Sequence, residues 1–568
     1  MGTRLTGARA MGSRIWLLAA LALVSLMTTA AKAQVVPPSD LPGRERQRFI
    51  EPPAAQSQPA GPVVTLPSTV APPGADKVFV LVQGVEVTGS TVYDKKQLAE
   101  LYAGMVGQRV SLAAVYALAQ KITSKYGNDG YVLSRAIVPP QQLSPDGAIV
   151  HVEVIEGYID KVEWPPQLHR YRDFFTAYAA KITAARPVNI RTIERYLLLA
   201  GDLPGLKFKT SLRPSETARG AATLVVEVAE KRIDANAHID NRGTPARGPF
   251  EYYGSATLNN LFGQHEAWTF TYAGVVPLKE LNYAALGYKQ VLTSEGLTFF
   301  ADGSDAWGTP GTIQLESLLY RTLGPYADAG FSFPALRSRE KNITLSTLVY
   351  GSNNESDAFD APFTDDRLRG FRSKVDADFA DQWQGISQFN VTFSKGIQGL
   401  GSTTNNNPLA SRKAGRVDYD KIEATAARTQ ALFDRFSAYV SLYGQYAGTP
   451  LLVPEQCGFG GRYFGRAFDP SQLIGDSCFE TVGELRYDLP AKLLRYVNTV
   501  QFYGYTDYGD LYTRDASAGT PQVQKAASVG GGVRLDWFDH VDADLSVARA
   551  IEGPRNDTRF FFILSAHN

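Results

Sequence analysis

Both cysteines of the 568-residue chain lie in one stretch, CGFGGRYFGRAFDPSQLIGDSC, running from Cys457 to Cys478. Between them stand the pair Gly460 and Gly461, the arginines Arg462 and Arg466, and Asp476. Such residues could ligate a metal through thiolates, join as a disulfide, or carry a guanidinium on a shaped loop. No metal-ligand spacing surrounds either cysteine, so no metal is expected. Enzymatic chemistry finds no support either: the six histidines are scattered, and HExxH, GxSxG and phosphate-loop patterns are absent. Carboxylates are abundant but lack the convergent spacing of a glycosidase, and nothing calls for a cofactor. A tied loop and a loop with two free thiols remain. With 20 residues between the cysteines, a bridge would restrict the free loop by roughly 3 kcal/mol.

The elements that must position this loop begin with an address. Arg4, Arg9 and Arg14 precede an apolar run, Ile15 to Met27, which ends in Ala31-Lys32-Ala33. That is the pattern of a secretory signal peptide, residues 1–33, with cleavage before Gln34. Export permits a disulfide. No later segment has the ~18 apolar residues of a spanning helix, so the mature chain is either soluble outside the cytoplasm or a β-barrel. Its 57 basic and 57 acidic residues balance, which argues against a nucleic-acid partner. Residues 34–76 are rich in Pro, Ala and Gln and read as a linker. Within it, GRERQRFIE has scope for one short helix but reads as a solvated charged stretch.

A β-α-α-β-β pattern then occurs twice. In residues 77–158 an alternating strand, VFVLVQGVEVTG, leads to a helix with Leu98, Leu101, Tyr102 and Met105 on one face. A second helix, opened by Ser111, carries Leu112, Val115, Leu118, Ala119 and Ile122. Gly127-Asn128-Asp129-Gly130 closes it, and the strands YVLSRAIVP and AIVHVEVIEG follow. Residues 159–231 repeat the order, with helices near 173–184 and 190–200. Two small α+β modules in tandem are expected.

From 232 to 568 the chain alternates. Trp268, Phe270 and Tyr272 share one face; Thr269, Thr271 and Ala273 share the other. About sixteen strands fit, at roughly 21 residues per strand and connection, and frequent Tyr and Phe near strand ends suit membrane interfaces. An even count leaves no edge unpaired in lipid. If Val500, Phe502 and Gly504 face outward, then Gln501, Tyr503, Tyr505 and Asp507 face the lumen. The same parity turns Glu484, Arg486 and Asp488 inward. An arginine in such a lumen needs a carboxylate, because burying it unpaired costs several kcal/mol.

These features resemble a known family. GVEVTGST, KYGNDGYVLSRAIVPPQQL and VEVIEGYIDKV look like the first polypeptide-transport-associated (POTRA) module of two-partner secretion transporters, the haemolysin and filamentous-haemagglutinin secretion type within the Omp85 superfamily. The second module is similar more loosely, and Asp240-Asn241-Arg242-Gly243 resembles the family's start to the barrel. The resemblance implies a long loop, here 447–478, after the eleventh strand of a 16-stranded transmembrane barrel, with its tip folded into the lumen. Gly460, Gly461, Arg466, Ala467 and Phe468 match that tip; Arg466 is then the lumenal arginine and Asp507, on the thirteenth strand, its partner, with Glu484 second. Gly465-Arg466-Ala467 departs from the family's Val-Arg-Gly, which exposes Ala467 to a positive φ that glycine tolerates better. Leu368-Arg369-Gly370-Phe371 fits the tetrapeptide but lacks the upstream glycines and is read as coincidence.

By the same resemblance the partners are an unfolded exoprotein captured by the POTRA modules through β-augmentation, outer-membrane lipid, and the barrel assembly machinery for insertion. The location implied is the bacterial outer membrane with the modules in the periplasm. Two alternatives stay open, an assembly factor that inserts other barrels and a passive porin. The ending RFFFILSAHN lacks the usual terminal aromatic, and Phe562 is the candidate assembly signal.

Overall fold

The computed structural model describes residues 36–52, 54–58, 70–216, 218–489, 497–517, 521–538 and 540–568. The signal-peptide expectation for residues 1–33 lies outside them.

In the first module, Phe79–Thr88 is the inner strand of a four-stranded sheet, flanked by Arg109–Ser111 and, in parallel, by Ala148–Ile155; Arg135–Ile137 forms the other edge. Its helices, Lys95–Tyr102 and Leu112–Asn128, start as the residues dictate. Asp94 and Gln97 make a reciprocal capping box, and Ser111 accepts from the amide of Ala114. Val115, Leu118, Ala119 and Ile122 are buried against the sheet, together with Leu98. The expected strand YVLSRAIVP shortens to Arg135–Ile137, because Tyr131 and Ser134 enter a turn closed by Ser134 N–H to Tyr131 O at 2.9 Å.

The second module pairs Tyr158–Glu163 in parallel with Ala221–Glu230, and Leu206–Pro214 forms the far edge of this three-stranded sheet. Helices Arg172–Ala184 and Ile190–Gly201 cover it. The second of these helices also touches the barrel. Tyr196 donates to Glu295 at 3.1 Å, and Arg337 grips Asp202 through two bonds of 2.8 Å. Val291 of the barrel enters the module's own core.

Sixteen antiparallel strands close the barrel, from Ile233–Asp240 to Thr558–His567; the sixth is interrupted, Arg321–Leu323 then Tyr326–Arg337. The seam between first and last strands pairs only Asn236–Asp240 with Ile563–His567. Outward positions are apolar: Phe270, Val349, Phe393, Leu485 and Phe560 are all exposed. Such a surface suits hydrocarbon, while the inward positions carry the polar groups. Trp268 and Tyr288, with ring centroids 4.6 Å apart, and Phe299 and Phe331, 5.5 Å apart, form part of the aromatic girdle at the end nearest the modules.

One expectation is overturned. The stretch GRERQRFIE is not solvated. Glu45–Phe49 forms a short 3-10 helix inside the barrel, with Arg44 and Glu45 fully buried. Val36, at the distal end, packs with Ala246, Leu315 and Tyr320. The amides of Ser57 and Gln58 reach Asp378 and the carbonyl of Arg339 near the module end. The charge of this stretch is therefore explained by partners on the barrel wall and not by water.

Candidate functional site

The loop between the eleventh strand (Phe436–Ala447) and the twelfth (Ser477–Leu489) folds into the lumen. Its stem is a two-stranded ribbon in which Cys457–Phe459 pairs with Leu473–Gly475. Cys457 and Cys478 are bonded, with Cα atoms 6.5 Å apart, so the ribbon is tied to the first residues of the twelfth strand. The tip then needs sharp turns, and glycines supply them: Gly460, Gly461 and Gly465 have φ of 120°, 116° and 68°. The Phe468 amide donates to the Gly465 carbonyl at 2.8 Å, which presents Arg466 and Ala467 at the apex.

Ala467 is not among the residues with positive φ, so the concern attached to it does not arise; Gly465, before the arginine, takes the left-handed conformation. Ala467 is instead fully buried with Phe459 and Phe468, against Tyr503, Tyr505, Ala548 and Phe561 of the wall.

Arg466, Glu484 and Asp507 are brought together, but in a different pairing from the expected one. The Arg466 guanidinium meets Glu484 Oε2 at 2.7 Å, and the Arg466 backbone N–H donates to Asp507 Oδ2 at 3.0 Å. The register supplies the reason. Glu484 faces Tyr505 across the strand pair and Val482 faces Asp507. With its amide aimed at Asp507, the long side chain passes over the Tyr505 ring, 4.2 Å from its centroid, and ends at Glu484. Tyr505 can lie flat because Gly530 stands behind it; a Cβ there would come within 2.6 Å of the ring.

Glu484, whose side chain is fully buried, also accepts from Arg486 Nε and Arg534 Nη1, each at 2.7 Å. Asp507 accepts a further bond from the Ser528 hydroxyl. The inward parity assigned from alternation thus holds for Glu484, Arg486, Tyr503, Tyr505 and Asp507.

Several contributors escaped the sequence reading. Glu455, at the loop's descending arm, accepts from Arg372 at 2.9 Å and Tyr350 at 3.0 Å and pairs with Lys421 at 2.9 Å. Asp476 gathers Arg412, the Leu451 amide at 2.9 Å, Gln456 at 3.1 Å and the Arg514 amide at 2.7 Å. These acids come from loop positions with no periodicity to read. The four residues Asp240 to Gly243 serve the same centre. Asn241 bonds the Phe560 carbonyl and the Phe562 amide, both at 2.9 Å, and so extends the short seam by a side chain. Arg242 donates to the Gly461 carbonyl at 3.3 Å.

The N-terminal segment interlocks with the loop. Arg44 reaches the Gln456 carbonyl and, at 2.9 Å, the Ser471 hydroxyl; Arg462 of the tip meets Glu51 at 3.3 Å. Arg247, in the turn between the first and second strands, holds Glu45 at 2.5 Å and Asp40 at 3.4 Å, and Arg46 lies over the Tyr326 ring at 3.4 Å. Arg369, in the look-alike tetrapeptide, sits within the eighth strand (Ala361–Ala380) and bonds Asn353 and the Leu400 carbonyl, away from this centre. A lumen blocked by two bodies, each held by charge-assisted bonds, can act as a gated passage.

Known proteins resemble this chain in sequence and fold. Residues 80–157 match the POTRA domain of ShlB type, and residues 339–535 match the haemolysin secretion/activation protein family ShlB/FhaC/HecB. The outer membrane transporter CdiB of Dickeya dadantii is 24% identical over 470 residues, 79% of each chain. The heme/hemopexin transporter protein HuxB of Haemophilus influenzae is 22% identical over 483 residues, 81% of each chain. Among solved structures, CdiB from Escherichia coli superposes with a TM-score of 0.70 at 19% identity, covering 92% of this chain and 96% of its own. CdiB from Acinetobacter baumannii gives 0.60 at 14% identity, covering 100% of both. With its ShlB-type POTRA domain and its ShlB/FhaC/HecB match over residues 339–535, the chain is similar to the two-partner secretion transporters, and its closed sixteen-stranded barrel with attached modules is that of an outer-membrane protein.

Proposed function

We propose that the protein captures an unfolded exoprotein in the periplasm and conducts it through the barrel to the cell surface. The observation that supports this reading is the double occupancy of the lumen. A passive porin holds an aqueous channel open, whereas here residues 36–58 and the loop 448–476 fill the passage and are bonded to each other through Arg44. Export then requires that residues 36–58 withdraw while the loop, tied by Cys457–Cys478, stays.

Capture uses strand addition. Leu206–Pro214 is an edge of its sheet, and most of its residues are exposed. An extended substrate paired there gains main-chain hydrogen bonds without a folded epitope. No nucleotide reaches the periplasm, so folding of the exoprotein outside supplies the direction. Arg466, Glu484 and Asp507 act as the latch that keeps the loop against the wall and so shapes the passage.

The test is export of a large, repeat-rich exoprotein, sought first in the genes adjacent to this one. Deleting the transporter should trap that protein in the periplasm while other outer-membrane proteins keep their levels. Loss of many barrels at once would favour an assembly factor instead, and normal export would refute the proposal.

A further inference from the structure

One outward-facing charge is left without a partner. On the fifteenth strand (Val541–Glu552), Ala548 and Ala550 face inward and are buried, while Leu545, Val547, Arg549 and Ile551 face out and are exposed. Other outward charges near the distal rim are paired: Lys525 with Asp510 at 3.4 Å and Lys395 with Asp420 at 2.8 Å. Arg549 has neither a hydrogen bond nor an ion pair among the described residues. Its cross-strand neighbours are Val529 and Thr558, and of these only Thr558 brings a polar side chain.

Toward the membrane interior from Arg549, the outer face of the wall carries a shallow, open depression. Gly504 and Gly531 are cross-strand partners on the outer face, and with no side chain at either position a groove of about 560 Å³ opens beside them. Phe502, Val533, Leu545, Val547, Phe560 and Phe562 line it. Val547 and Arg549 are two residues apart on one strand, a rise of about 7 Å. An apolar trough thus runs up to a single cation at the distal, outer-leaflet end.

We propose that this face binds one phosphorylated glycolipid of the outer leaflet, with an acyl chain in the groove beside Gly531 and a headgroup phosphate on Arg549. Charge complementarity selects the occupant. A neutral chain fills the groove but leaves the guanidinium unpaired at the membrane boundary, where pairing with a lipid phosphate relieves its desolvation. The groove borders the barrel's shortest pairing, because Phe560 and Phe562 belong to the last strand and Asn241 bonds both. Phe250 of the second strand lies 6.4 Å from Phe562 across the seam. The bound lipid therefore braces the seam behind the wall on which the loop tip packs.

The full-length protein in mild detergent tests this with lipid A as the probe. Wild-type protein should retain lipid A, counted by native mass spectrometry, and its unfolding temperature should rise on addition. Arg549→Ala should bind about five-fold more weakly, the effect of one basic group at an anionic membrane surface, and Arg549→Lys should recover most of the binding. Dephosphorylated lipid A should bind wild type and Arg549→Ala alike. Gly504→Leu, at a position whose nearest neighbouring atom is 3.9 Å from an added Cβ, fills the trough's margin and should also lower retention. Equal retention of lipid A by wild type and Arg549→Ala would overturn the proposal. So would unchanged binding in Gly504→Leu.

Discussion

A double-mutant cycle separates the two carboxylates at the loop tip. Arg466 contacts Glu484 through its guanidinium but Asp507 through its backbone amide, and an Arg466→Ala variant keeps that amide. The side chains of Arg466 and Asp507 should therefore be uncoupled to within the ~0.3–0.5 kcal/mol of ordinary additivity. Arg466 and Glu484 should couple by about 1.5–3 kcal/mol, the range for a hydrogen bond between charged partners. Little screening reduces this figure, since the two side chains are only 10% and 0% exposed. Single substitutions rank differently again. Glu484→Ala removes the carboxylate shared by Arg466, Arg486 and Arg534, of which Arg534 keeps Asp544 at 3.2 Å, and should cost about 3–5 kcal/mol of loop attachment. Asp507→Asn still offers an oxygen to the Arg466 amide and should cost about 1 kcal/mol. Loop attachment is read as the temperature at which the folded barrel shifts to the unfolded band in a heated gel, with protease protection of the loop as a second measure. A coupling to Asp507 as large as that to Glu484 would refute the assignment.

Further outcomes follow from other contacts. Arg44→Ala should loosen residues 36–58 and raise both single-channel conductance and uptake of large antibiotics, while barrel insertion stays normal; unchanged conductance would show that Arg44 does not hold the segment. Replacing both Cys457 and Cys478 by Ser should lower loop attachment by roughly 3 kcal/mol, and reductant should change the thermal shift of the wild type but not of the variant. Glu156 in the first POTRA module is held below the usual carboxylate range: burial pushes it up, but bonds from Thr91, Tyr126 and the Val92 amide outweigh burial. That stabilisation is present above the unfolded carboxylate pKa and lost as pH falls through the lower folded value. Glu156→Gln should thus flatten the acid limb of the module's unfolding profile, followed by circular dichroism. Asp202→Ala should free the second module from Arg337 and broaden spin-label distances between module and barrel.

The legible parts of this chain were those written in periods. Alternation placed Asp507 and Glu484 on the lumenal face, because a strand's side-chain period of two leaves only one choice once the apolar face is known. The helix cap at Ser111 was readable for a similarly local reason, while the capping box at Asp94 was not read. Partner choice within the lumen was not legible, since it depends on the length of one side chain relative to cross-strand register: Arg466 overshoots Asp507 and stops at Glu484. The sequence also concealed the fate of GRERQRFIE. Its charges match those of a solvated linker, and only the closed barrel shows that Arg247, Glu251 and Tyr326 wait for them. Asp476 and Glu455 were invisible because loop residues follow no period.

The two bodies in the lumen differ in how they are held, and the difference orders their movements. The loop has a covalent tie at Cys457–Cys478 and buried acids along its length: Glu455 on the descending arm, Asp476 at the base, Glu484 and Asp507 at the tip. The N-terminal segment is held by ion pairs, hydrogen bonds, one stacked arginine and the apolar contacts of Val36 and Phe49, all noncovalent. The desolvated charges on both sides make departure costly without a replacement. An incoming polypeptide supplies one, because its backbone carbonyls and carboxylates can take over Arg247 and the loop's Arg462, the donors that the segment occupies. On the proposed function, substrate and segment would compete for one set of partners, and the passage would open by exchange around a fixed loop.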